Sequence, residues 1–319
     1  AIGHGAVGGG TGTGTNLTAT ENTAIGYASM NVATSAANNV TLGYGTLQAL
    51  TSGARNIAIG NLTLDAITTQ SDNIAIGHGA QSAQAHANST RNIAIGQYAM
   101  ENMNAWQTDN IAIGYEAMEG GTEAADIDYN IAIGSYALDD IGNNGVGGCV
   151  AVGYNTLSAV DNSTAYGDLA IGMSAGQAIT SAQRITAVGY QALAAEDEGS
   201  YQTAIGYQAL SQVNNNNGHN TALGQRAGYN LTTGNANTLI GSGADASGSG
   251  GVNQTALGQG VTAIGDNSVT LGNDSVTDVY MSSDQRAKMH SGQIDVTADS
   301  STNAVTAFIR SENNSDFSS

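Results

Sequence analysis

A chain of 319 residues would ordinarily divide into two globular domains, but 44 glycines, no proline, 5 % aromatic and 10 % charged residues describe something else, since an average soluble domain carries about 25 % charged side chains. Asn, Thr, Ser, Gln and Gly must cover much of the surface, which is the composition of a polar, uncharged β-structure. A net charge of −19, from 26 acidic against seven basic residues, leaves no basic footprint for phosphates and so excludes a nucleic-acid partner.

The single cysteine, Cys149, excludes an intrachain disulfide framework and Cys-x-x-Cys metal clusters; its place inside a repeated motif reads as a buried, inert thiol. No apolar run reaches the roughly 18 residues that span a bilayer, so no membrane span is expected in this segment. The chain opens in mid-motif at Ala1-Ile2-Gly3, which reads as a fragment or a processed product. Gly8-Gly9-Gly10-Thr11-Gly12-Thr13-Gly14 looks superficially like a phosphate loop but lacks the Gly-Lys-Ser/Thr ending. It is expected to be an irregular coil.

From there the sequence repeats itself. An aliphatic residue followed by glycine recurs at 3, 26, 43, 60, 77, 96, 114, 134, 153, 172, 189, 206, 224, 241, 258, 265 and 272. The spacing is 17 in seven intervals, 18 to 20 in most others, and 7 at the last two. Such a period is too short for paired helices and suits one coil of a β-solenoid, two short strands and two turns. Stacked coils bring equivalent positions to about 4.8 Å from one another.

Two columns are expected from that stacking. The aliphatic residue before each glycine, Ile25, Ile59, Ile76, Ile95, Ile113, Ile133, Val152, Ile171, Val188, Ile205, Leu223 and Ile240, is expected to fill the dry interior. Four residues before the glycine, Asn22, Asn39, Asn56, Asn73, Asn92, Asn110, Asn130, Asn220 and Asn237 are expected to form a ladder of side-chain amides. Glycine itself allows a bend or close approach where a Cβ would collide. Tyr follows it at 27, 44, 115, 154, 190 and 207, either as a structural stack or as an aromatic stripe for sugars, the structural role being preferred.

Metal and catalytic sites are not expected. His4, His78, His86, His219 and His290 show no ligand spacing, and Asp139, Asp140, Asn143 and Asn144 do not match an EF-hand loop. No Ser, His and Asp constellation can be placed, no pair of carboxylates suggests a glycosidase, and no cofactor is implied. The longest insertions, 119–129 and 139–148, are candidate protrusions.

Thr203-Ala204-Ile205-Gly206-Tyr207-Gln208-Ala209-Leu210 and Thr221-Ala222-Leu223-Gly224, with the seven-residue rhythm of Thr255-Ala256-Leu257-Gly258, Thr262-Ala263-Ile264-Gly265 and Val269-Thr270-Leu271-Gly272, resemble the repeats of YadA-like head domains. Those occur in trimeric autotransporter adhesins and bacteriophage tail fibres. The resemblance covers 1–273 and implies an all-β, left-handed parallel β-roll, a homotrimeric elongated rod. The longer units here depart from a 14-residue coil and imply extra outward loop residues. Beyond Gly272, Ser283-Asp284-Gln285-Arg286-Ala287-Lys288 resembles the opening of the endosialidase-type chaperone of phage tail fibres, although the chaperone body does not follow. Residues 274–319 read as a C-terminal neck or β segment, cut short, with alternation through Ile294, Val296, Val305, Ala307 and Ile309.

The expected function is that of a structural fibre protein, not an enzyme: an extracellular shaft on a virion or cell surface, trimeric with itself, supporting attachment to a host receptor or glycan. A bacterial cell-surface adhesin or filament is the alternative. A flat solenoid that binds ice or carbohydrate through regular Thr and Asn arrays is a third reading.

Overall fold

The structure, a computed structural model, describes residues 1–6, 18–82, 89–103, 106–120, 126–142, 145–160, 166–214 and 218–279. The glycine-rich stretch at 8–14, His86, Asn143, Asn144, His290 and the strands expected after 290 lie outside them. The chain divides into two units, Ala1–Val276 and Thr277–Ser319. Of the second only 277–279 are described, without regular structure.

The first unit is a parallel β-solenoid. One strand per coil, three residues long, joins a sheet of fifteen strands running from Thr23–Ile25 to Val269–Leu271. Neighbouring strands pair in parallel and in register, as in Ile57↔Ile74, Ala58↔Ala75 and Ile59↔Ile76. The described residues contain no helix. A short second sheet of Gln107–Thr108, Ile127–Asp128 and Val146–Gly147 accompanies the main one only where the coils lengthen to 18–20 residues. One to three added residues give the turn before each strand enough chain to pair with its neighbours.

The interior is not built as the aliphatic-glycine pattern predicts. Side chains alternate across a strand, so in Ile-Ala-Ile one face holds both isoleucines and the other holds the alanine. The alanine is inside: Ala24, Ala58, Ala75, Ala94, Ala112, Ala132, Ala151, Ala170, Ala187, Ala204, Ala222 and Ala256 are fully buried. The expected core column faces outward instead. Ile25, Ile133, Ile171, Ile205 and Leu223 are exposed, and Ile59, Ile76, Ile95, Ile113, Val152, Val188 and Ile240 are half-buried. The physical reason is width. Apart from the coils of Thr41 and Leu239, which are also buried at this position, each coil admits only a methyl group from the sheet, because the larger interior side chains come from the opposite side, four and seven residues after the glycine. Those are Met30, Leu47, Leu64, Met100, Met118, Leu138, Leu157, Leu193 and Leu210, with Leu50, Ile67, Met103, Ile141, Val160, Ile179, Val213 and Leu231 beyond them.

Glycine is required at the sheet's C-terminal edge. Gly60 and Gly96 have φ of +144° and +142°, and a Cβ on either would lie 2.3 or 2.1 Å from the carbonyl oxygen of the glycine one coil on. The turns use the left-handed region even without glycine. The residue before each ladder position has positive φ in Glu21, Asn38, Arg55, Asp72, Arg91, Asp109, Tyr129, Arg184, Tyr201, His219, Ala236 and Asn253, at about 1 kcal/mol or more each. Stacked hydrogen bonds on both sides hold them there.

The last coil is shorter. Thr255–Leu257 pairs with Val269–Leu271, a step of 14 residues, while Thr262 bridges to Asp245 on the other side. The copy ending at Gly265 therefore does not join the glycine column, and Ile264 is 85 % exposed. Two seven-residue copies make one coil, each supplying half of the circuit.

Two substitutions test this packing by chemical denaturation. Ala112→Asp buries an unpaired charge in the interior column and is expected to cost about 3 kcal/mol or more. Ala236→Gly, at an exposed position with φ of +57°, is expected to stabilise by about 1 kcal/mol by relieving left-handed strain. A tolerated aspartate at 112 would contradict the alanine interior.

Candidate functional site

What the solenoid presents are rows, each made by one repeat position and running coil to coil. The first is internal. In Asn39, Asn56, Asn73, Asn92, Asn110 and Asn130 the side-chain Nδ2 donates to Oδ1 of the asparagine one coil earlier, at 3.0–3.4 Å. The backbone N–H of each donates to the same oxygen at 2.9–3.1 Å. Nδ2 also donates across the coil, to the carbonyls of Gly53, Gln70, Ser89, Gln107, Ile127 and Val146. From Asn39 to Asn110 each buried amide thus uses two donors and two acceptor positions, which offsets the cost of burying it. Asn237 bonds to Asn220 in the same way at 3.0 Å.

Between Asn130 and Asn220 the ladder position is held by Cys149, Asp168, Ile185 and Gln202. Cys149 N–H donates to Asn130 Oδ1 and Ile185 N–H to Asp168 Oδ1, both at 2.9 Å, so the backbone half of the pattern continues. The Cys149 thiol is buried and pushed up to about 12 by that burial. Asp168 is the weak rung: its Oδ2 is buried without a hydrogen-bond partner among the described residues. Burial, only partly offset by the N–H groups of Ile185 and Arg184, raises its carboxyl to about 7. Protonated, it imitates asparagine more closely than the carboxylate does.

On the outside, aliphatic side chains form two parallel rows flanking the buried alanines. Both rows are aliphatic from Ile57 and Ile59 through Leu169 and Ile171; after that the first row turns to threonine at Thr186, Thr203, Thr221, Thr238 and Thr255, and only the second remains apolar.

Aromatic rings stack just past the glycine. His4, Tyr27 and Tyr44 stand in sequence with centroids 5.4 Å apart, and Tyr190 stacks on Tyr207 at 5.2 Å. A longer run, His78, Tyr98, Tyr115, Tyr136 and Tyr154, meets edge to face at 5.2–6.3 Å. Tyr98 and Tyr136 were invisible to a rule for the first residue after glycine, because they occupy the second, and the rings zigzag to meet. Tyr115 is pushed up to about 12, chiefly by its hydrogen bond to Glu116.

The left-handed turn row carries two ion pairs. Arg55 pairs with Asp72 at 2.5 Å and Arg91 with Asp109 at 2.7 Å, each one coil apart, and the guanidiniums hold both carboxyls below the usual range. Further along, Arg184 lies over the Tyr201 ring and donates to its hydroxyl at 2.7 Å, and Tyr201 stacks on His219 at 5.0 Å. His4, His78 and His219 therefore all contact a tyrosine ring, His4 and His219 stacked and His78 edge to face. Asp139 is raised to about 6 by burial, and Asp140 is exposed beside it. Among the described residues no three His, Cys, Asp or Glu side chains converge as metal ligands do, and no helix is long and apolar enough to cross a membrane.

No known family's sequence profile, no curated protein and no solved structure matches the chain.

Asp168 gives the ladder a pH signature. Its carboxyl titrates near 3.9 when unfolded and near 7 when folded, so the native chain holds the proton more tightly. The stability it contributes is full below about pH 4 and is lost as pH rises to about 7. Asp168→Asn is expected to raise the melting temperature at pH 8 by the equivalent of a few kcal/mol and to leave it nearly unchanged at pH 4. A wild-type minus variant difference that does not vary with pH would contradict the assignment.

Proposed function

We propose that the chain is a structural, non-enzymatic subunit of a homotrimeric extracellular fibre, wound as a left-handed parallel β-roll and serving as the shaft of a phage tail or virion fibre that supports attachment to a host receptor. The observation that carries this reading is the aliphatic surface on the outer face of the fifteen-stranded sheet, two rows wide as far as Leu169 and Ile171 and one row wide beyond, with Ile133, Ile171, Ile205 and Leu223 each 38–46 % exposed. Continuous apolar surface of this kind marks an interface. Further copies of the same chain are the natural occupants, since the rows repeat at the strand spacing and an identical neighbour offers the same period. Three is the number implied by the resemblance of Thr203–Leu210 and its companions to YadA-like heads.

The work of such a shaft is mechanical. Backbone hydrogen bonds along the coils and apolar contact between chains resist bending, and three copies of a weak receptor site gain avidity through effective concentration. The charge of −19 keeps neighbouring fibres apart.

Sedimentation equilibrium is expected to give three times the chain mass. The pair Ile113→Asp and Ile133→Asp, on the outer face, is expected to shift the chain toward monomer while its strand circular dichroism persists. A wild-type chain that stays monomeric at high micromolar concentration would overturn the reading.

A further inference from the structure

The turn row, in which Arg55 pairs with Asp72 and Arg184 with Tyr201, is interrupted at one place. Its successive members there are Tyr129, Gly148, Gly167 and Arg184. The two glycines leave the row without side chains for two consecutive coils, so Tyr129 and Arg184 face one another across three coil steps, roughly 14 Å at the strand spacing. The notch opens into a groove of about 530 Å³. Its floor is backbone: Gly148 N–H donates to the Asp128 carbonyl and Gly167 N–H to the Gly147 carbonyl, each at 3.1 Å. The ring of Tyr166 lies against Gly147, where a Cβ would come within 2.6 Å of it. Asp126 and Asp128 complete the wall.

We propose that this groove binds a short oligosaccharide that carries no acidic groups. Two tyrosine rings, Tyr129 at 65 % and Tyr166 at 52 % exposure, offer flat apolar faces, and the C–H face of a pyranose ring is apolar while its rim is hydroxyl. Aspartate and arginine at the same wall accept from and donate to hydroxyls with charge-assisted hydrogen bonds. No aliphatic side chain lines the groove among the described residues, so it lacks the apolar pocket that anchors a hydrophobic peptide side chain. Acidic sugars and other polyanions are disfavoured by two aspartates against one guanidinium already engaged with Tyr201, on a chain of charge −19. The notch is also particular to this place. Elsewhere the row carries side chains, several of them paired, as Arg55 with Asp72, Arg91 with Asp109 and Tyr201 with His219, and only here do two glycines coincide with the second small sheet. The proposal deepens the fibre reading, on which it rests only for where such a glycan would be met: attachment would lie along the shaft's side as well as at a tip.

The test is calorimetric titration of the soluble chain with four probes: the tetrasaccharides of cellulose and chitin, the fully deacetylated chitin tetrasaccharide, and a hyaluronan tetrasaccharide. Saturable binding of at least one non-acidic probe at about millimolar strength or tighter is expected. Tyr129→Ala is expected to weaken it about tenfold, the worth of one aromatic stacking contact. The decisive variant combines Gly148→Arg with Gly167→Asp and so copies the Arg55–Asp72 pair into the notch. The φ values of +67° and +73° match those of Arg55 and Asp72, and a Cβ at 148 has no neighbour nearer than 3.9 Å and at 167 none within 4 Å. It is expected to melt where the wild type does and to lose binding more than tenfold. Absence of binding to every non-acidic probe, binding to hyaluronan alone, or full binding by the filled variant would each overturn the proposal. Sedimentation of the same samples separates the two readings: a trimer that binds nothing keeps the fibre and removes the groove, and a monomer that binds does the reverse.

Discussion

Everything in this fold follows from the requirement that one coil lie in register on the next. Once Ile57 pairs with Ile74 and Ile59 with Ile76, every repeat position meets its own copy about 4.8 Å away, and each residue is chosen for how well it stacks on itself. Asparagine stacks by chaining amides, tyrosine by ring contact, alternating arginine and aspartate by ion pairing, and glycine by letting two backbones approach where a Cβ would strike a carbonyl. The left-handed residues in the turns are strained singly and tolerated collectively, because the coils on either side hold the same conformation.

The same requirement explains why the apolar residues lie on both sides of the sheet. Inside, alanine is the largest residue the narrow coil accepts opposite Met100, Met118 and Leu138. Outside, isoleucine and valine remain, which is a costly arrangement for a face left in water and the observation on which the proposed self-association rests. The solenoid is thus a small core with an apolar outer face, in keeping with the general difficulty of stabilising structures with so much surface for their volume. Where stacking is relaxed, chemistry becomes available: Asp168 replaces an amide and gains a proton affinity, and Gly148 with Gly167 opens a groove in a row that is otherwise closed.

Much of this was legible in the residues. The spacing of the aliphatic-glycine pairs gave the coil, and Asn four residues before nine of the glycines gave a position whose side chain is best satisfied by its own copy. The direction of the side chains was not legible, because a three-residue strand of Ile-Ala-Ile has no polar member to mark the wet face; hydrophobicity placed Ile95 and Ile113 inside, and the width of the coil placed Ala94 and Ala112 there. Likewise the seven-residue rhythm at 258, 265 and 272 looked like three equivalent copies, and which side of a coil each one takes depends on pairing partners that the pattern does not name. The groove could not be foreseen, since it is made by glycines at 148 and 167 that look like ordinary variants until the row they interrupt is known.

The in-register stacking itself is open to one direct measurement. Nitroxide labels at 236 and 253, exposed members of the turn row in adjacent coils linked by the Asn253 N–H to Asn235 carbonyl bond at 3.0 Å, would be compared with labels at 236 and 267, two coils apart. Labelled chains would be diluted in unlabelled protein so that only pairs within one chain contribute. Strong dipolar broadening for the adjacent pair, at roughly 5 Å backbone separation, and clearly weaker broadening for the second pair is the result the account requires. Equal broadening for both pairs, or none for the adjacent one, would contradict it.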